Sequence, residues 1–183
     1  MIPIFKILLF AIIGISTLNS SGQKMVPAKM NSLLVYGDGF MFSVKEPDGW
    51  EGNTEIAKKY SANIIFYMKT DAIKKAGALI QVYSFGKQDE KTENDLAYDI
   101  KEYKDKYKNL KSQVLLVSHK EYKCFSATVF VANDFYQYTA YINPGIKFKR
   151  GLSVAMNIPK RPATEGELKA FREIIASLIM LKG

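Results

Sequence analysis

The stretch "EYKCFSATVFVANDFYQYTAYINPG", residues 121–145, sets the architecture of this chain. Phe125, Ala127, Val129 and Val131 fall on one side of an extended segment, and Ser126 and Thr128 fall on the other. That alternation predicts a strand with unequal faces over residues 122–132. The Asn-Asp pair in "ANDF" is tight-turn chemistry, and a second aromatic-rich strand, 135–142, follows at once. "NPG" at Asn143, Pro144 and Gly145 turns the chain again, into a third strand at 148–158. Links this short leave no room for a parallel crossover, so the three strands form an antiparallel meander.

Outward from the meander, segments 33–36, 40–45, 63–68, 78–85 and 114–118 carry the same β-branched and aromatic enrichment and read as strands. Two helices are expected. The first opens at Thr92, with Asp95 three residues on, and aligns Leu96, Ile100, Tyr103, Tyr107 and Leu110 along one stripe. The second opens at Thr164, with Glu167 three residues on. It aligns Leu168, Phe171, Ile175 and Leu178, and Ile174 and Leu181 widen the face. A short helix is expected over 55–60. Strands, a helix, a meander and a closing helix together predict an α+β fold, a mostly antiparallel β-sheet covered by helices.

The first 22 residues, "MIPIFKILLFAIIGISTLNSSG", place one charge, Lys6, before an apolar run at 7–15 and then small polar residues. This is the layout of a cleaved signal peptide. The run falls short of the about 20 residues that cross a bilayer core, so a retained anchor is not expected. Ser20 and Gly22 are the small residues a signal peptidase inspects, which makes Gln23 the expected mature N-terminus. With no Cys in the leader, no lipobox is read. A periplasmic or secreted bacterial protein is expected, with residues 23–32 as a mobile lead-in and 33–183 as one domain. The 161 residues left of 183 can bury about 70% of their unfolded surface. Loss of Lys6 takes the formal net charge from +8 to +7, which favours anionic surfaces. A protein partner or an anionic envelope surface is therefore expected, and nucleic acid is not.

The inventory of reactive groups is small. His119 is the only histidine and Cys124 the only cysteine. Cys124, in a strand-like run, reads as a buried, inert thiol; the alternative is a reactive one. His119 reads as a surface residue at a strand end. A Cys/His pair would have to use these two, yet no nucleophile elbow accompanies them. A zinc site needs three or four ligands of these kinds. There is no P-loop, GxGxxG or EF-hand loop, and Gly37-Asp38-Gly39 is a turn. Asp89 and Glu90, and Glu165 and Glu167, have capping and solubility roles. No catalytic, metal or cofactor residue is nominated. The basic residues Lys147, Lys149 and Arg150, with Lys160 and Arg161, read either as charges that discourage pairing at a sheet edge or as a contact for an acidic partner. In the Pro47-Asp48-Gly49-Trp50 turn, Pro47 presets φ, Gly49 can take φ > 0, and Trp50, the only tryptophan, can bury on the order of 200 Å². The turn reads as a structural anchor, with a ligand contact as the alternative.

The order of "FMFSVKEPDGW", "NIIFYM", "GALIQVYSF", a long amphipathic helix, "EYKCFSATVFV", "FYQYTAYI" and "FREIIASLIML" resembles the PsbP-like α/β/α sandwich family. The resemblance runs from about Leu33 to Leu181, and its most specific piece is the strand leading into Pro-x-Gly-Trp. It implies a binding or assembly role without shared catalytic residues, and no photosystem role follows from it. Three functions are carried forward: an exported non-enzymatic interaction module; a carrier or sensor of a small or lipidic ligand, suggested by eleven Tyr and eleven Phe; and a hydrolase using scattered acids.

Overall fold

The computed structural model describes residues 25–28, 32–71, 76–87, 91–131 and 134–182. The signal-peptide reading of 1–22 lies outside them, as do Asp89, Glu90 and Asn133. In chain order the elements are β1 (Met25–Ala28), β2 (Ser32–Gly37), β3 (Phe40–Lys45) and β4 (Trp50–Asn53). Then come α1 (Thr54–Ala57), continued by a 3₁₀ turn over Lys58–Tyr60, β5 (Ile64–Met68), β6 (Leu79–Gly86), α2 (Thr92–Lys106) and β7 (Leu110–Val114). The meander is β8 (Lys123–Val131), β9 (Phe135–Asn143) and β10 (Arg150–Pro159), followed by α3 (Glu165–Ser177) and β11 (Ile179–Leu181).

The fold is α+β with antiparallel pairing throughout the described strands. A seven-stranded sheet runs β4-β5-β6-β10-β9-β8-β7, and a four-stranded sheet runs β1-β2-β3-β11. The meander sets Cys124 opposite Ile142 and Ile142 opposite Leu152. Strand parity then sorts the side chains between two faces. On one face Ile142, Leu152, Val154 and Met156 meet Phe171, Ile174 and Ile175 of α3 and Val35, Phe42 and Val44 of the small sheet. A fully buried side chain such as Phe171 contributes about 1.5–3 kcal/mol. On the other face α1 lies over Ile65 and Tyr67, while Leu96 of α2 lies over Ala127 and Tyr141. The apolar face predicted for β8 is thus the seat of α2.

Several boundaries move, each for a physical reason. Helix α2 ends at Lys106, with Lys91 rather than Thr92 at its N-cap. Tyr107 turns extended there, and its ring packs on Tyr103 and Phe135 at 6.4 and 5.5 Å. Leu110, expected in the helix, opens β7, which lies four residues ahead of the predicted strand. Leu115 and Val117 leave the strand to pack against the main core. Helix α3 stops at Ser177, whose hydroxyl donates to Ile174 O (2.8 Å) and accepts from Lys45 N–H (3.0 Å). Residues 179–181 then pair with β3 instead of adding a helical turn. Met25–Ala28, expected in the lead-in, forms β1 on β2. Finally, β10 lies between β6 and β9 in mid-sheet, so its flanking cations do not guard an edge.

Candidate functional site

The Trp50 corner is built by a turn in which Trp50 N–H donates to Pro47 O (3.0 Å) and Gly49 takes φ 80°. Pro47 is therefore the first residue of the turn and Asp48 the second, and the glycine sits where a type II turn demands positive φ. Trp50 is 4% exposed and opens β4 opposite Met68. Between this corner and the first turns of α3 lies a cleft of about 290 Å³ whose lining includes Asp48, Met68, Gly166, Lys169 and Glu173. It is no anion site. Glu167 closes the capping box of α3, accepting from Thr164 N–H at 2.7 Å, and so occupies the helix N-terminus with its own carboxylate.

Arg161 completes this arrangement by donating two bonds to Glu167, at 2.7 and 2.8 Å. Burial pushes the Glu167 carboxyl up, but Arg161 and the Thr164 donors outweigh it and hold it below its usual 4.5. Because the folded value is the lower one, this stabilisation is present above pH 4.5 and is lost as pH falls through the folded value. Glu167→Gln is expected to cost about 1–2 kcal/mol at pH 7. Melting curves of the two proteins recorded from pH 7 downward should converge in acid; a difference constant with pH would deny Glu167 this role.

The five basic residues are not brought together. Lys147 and Lys149 are exposed before β10, and Lys160 and Arg161 follow its far end, about 30 Å away for a ten-residue strand. Arg150 is half-buried and spent internally: its Nε and Nη2 donate to Ser84 Oγ and O at 2.9 and 2.7 Å, and its guanidinium lies 5.4 Å from the Phe40 ring centre. With Arg161 paired to Glu167, this set is two separate pairs of residues flanking a central strand.

His119 is buried, not a surface residue: it is 8% exposed. Its Nε2 lies 2.8 Å from Leu178 O, and its Nδ1 accepts from Glu121 and Tyr122 N–H at 3.0 Å each. A ring nitrogen that accepts twice carries no hydrogen, so the hydrogen is on Nε2, and both nitrogens are committed to backbone. The ring stacks on Tyr122 at 4.6 Å, and Tyr122 in turn accepts from Met180 N–H at 3.3 Å. Cys124 packs against the main core, and burial pushes its thiol up to about 11.

No family model matches the chain, and no curated protein does. Among solved structures it is similar to the solution structure of cyanobacterial PsbP (CyanoP) from Synechocystis sp. PCC 6803, 11% identical, covering 91% of this chain and 99% of that chain at a TM-score of 0.46. At 11% identity the likeness reaches no site residue.

A second polar site lies on the α2 face of the large sheet, and the strand alternation alone did not reveal it. Register sets Tyr83, Ser153 and Tyr141 in one cross-strand row, and Gln81, Ala155 and Thr139 in the next. Tyr141 donates its hydroxyl to Asp99 Oδ2 of α2. Burial raises the Asp99 carboxyl above its usual range although the Tyr141 bond pulls it down. Asn157 Nδ2 donates to Gln81 Oε1 at 3.4 Å, and Tyr83 donates to the same oxygen. Among the described residues, Gln137 Oε1 and Thr92 Oγ1 are buried without a hydrogen-bond partner. The sequence does carry a signal for this layer: Asp99 falls three residues after Leu96 and four before Tyr103, on the stripe that packs. Hydroxyls, amides and one carboxyl make this a floor for holding a polar group rather than for attacking one. Among the described residues no helix is long and apolar enough to cross a membrane.

Proposed function

We propose that this chain is an exported, non-enzymatic interaction module of a bacterial envelope or secreted fraction. The observation that carries the reading is where its reactive side chains are spent. Both nitrogens of His119 serve backbone groups, and Glu167 serves a helix cap and Arg161. The Cys124 thiol, pushed up to about 11, is protonated at neutral pH. The chemistry is turned inward to hold the fold, which leaves a lysine-rich surface to do the work. The test is crosslinking of the tagged protein in its native envelope, then recovery at low and high salt with mass spectrometry. One stoichiometric partner, weakened by salt, is the expected result; recovery of the protein alone after crosslinking would retire the reading.

The polar floor beneath α2 favours a second reading, a carrier of a small polar ligand. Its specific support is the buried, unpartnered oxygen of Gln137. A mass above that of the chain in native mass spectrometry, lost in Gln137→Leu, would move the weight there.

A further inference from the structure

Strand β7 closes one edge of the seven-stranded sheet. Leu115 N–H donates to Ser126 O at 3.1 Å, one step beyond the pairing of Val114 with Ala127. In an antiparallel ladder the inward and outward backbone groups alternate. Residues 111, 113 and 115 therefore face β8, and the backbone N–H and C=O of Ser112 and Val114 point away from the sheet. Along the same edge Val114 and Leu116 are 79% and 88% exposed, two of the three most exposed large apolar side chains among the described residues. An edge with which no described strand pairs, beside two exposed apolar residues, is a template for an added strand.

Charge says which strand. Residues 104–123 hold six lysines, Lys104, Lys106, Lys108, Lys111, Lys120 and Lys123, against two acids, Asp105 and Glu121. Lys120 and Glu121 already pair at 3.4 Å. A second copy docking β7 on β7 would set this lysine cluster against itself, so like charge opposes self-pairing while an acidic chain is drawn in. If the lysines were only guards against aggregation, Val114 and Leu116 would have no reason to stand exposed beside them.

We propose that β7 is the docking edge for an extended, acidic segment of a partner protein, which adds to the large sheet as an eighth strand. Main-chain bonds to Ser112 and Val114 would hold it, its apolar residues would cover Val114 and Leu116, and its carboxylates would face Lys108, Lys111 and Lys120. This rests on the interaction-module reading and gives it a surface and a class of partner.

The probe is a blocked peptide, Glu-Val-Glu-Ile-Glu-Val-Glu, titrated into the purified full chain at low salt, with amide hydrogen exchange as the readout. Saturable binding that slows exchange at Ser112 and Val114 by about tenfold or more is expected, weakening as salt rises. Ser112→Pro removes an outward N–H without taking a bond from β8, a position where an edge tolerates proline. Binding should be lost in Ser112→Pro and kept in Ser112→Ala, with both variants melting close to the parent. Equal binding by Ser112→Pro, protection elsewhere, or no binding overturns the proposal, as does a β7-dependent dimer in sedimentation. So does attachment to anionic vesicles that Ser112→Pro leaves unchanged. If Ser112→Pro still recovers the crosslinked envelope partner, the edge proposal fails and the module reading stands; if the parent chain recovers none, the module reading itself fails.

Discussion

Trp50→Ala is expected to remove about 3–5 kcal/mol of folding stability, a large part of what a domain of this size holds. The side chain is 4% exposed and belongs to the main core, a cluster that includes Ile64 and Phe66 of the large sheet and Leu33 and Val35 of the small one. Its backbone closes the turn to Pro47 and starts the pairing of β4 with β5. Truncation would leave a cavity where the two sheets meet, with a backbone too well tied to collapse into it. Urea unfolding followed by circular dichroism measures the effect, and Trp50→Phe should recover most of the loss. If Trp50→Ala costs less than about 1 kcal/mol, the corner does not anchor the fold.

The second large effect belongs to His119. Replacing it with leucine keeps much of the volume but strands Leu178 O and the Glu121 and Tyr122 N–H groups, each bonded to the ring in the parent. A buried group left unsatisfied costs about 1–3 kcal/mol, so a total of about 3 kcal/mol is expected. The loss should be local before it is global. Amide exchange over residues 178–181 should quicken in His119→Leu well below the melting transition, because the ring is what ties the end of α3 and the start of β11 to the loop before β8. Unchanged exchange there would show that the stack with Tyr122 does not hold β11.

Local patterns were the legible part of the fold. The β8–β10 meander is visible because turn chemistry and alternation coincide within 40 residues, and the start of α3 because Thr164 and Glu167 form a cap at fixed spacing. Elements defined by distant partners were not legible. Leu178 and Leu181 keep helical spacing, so residues 179–181 read as helix until β3 is seen to claim them. The same holds for the division into two sheets: nothing in β3 itself announces that β11, not β4, will lie beside it. The basic residues looked like one patch because they bracket one strand, and strand length separates them. His119 looked exposed because a histidine at a strand end usually is; its three backbone partners come from a helix end 59 residues away and from its own loop.

The pairing of β11 with β3 also governs when folding can finish. Met180 lies opposite Phe42, 138 positions earlier in the chain. Contacts of such sequence separation pay their loop-closure entropy before they return anything, and they slow folding. Until Ile179–Leu181 are in place, the small sheet lacks its fourth strand, and Met180 cannot cover Phe42. The small sheet is latched by a strand distant in sequence, and it stays open on that side until those three residues arrive.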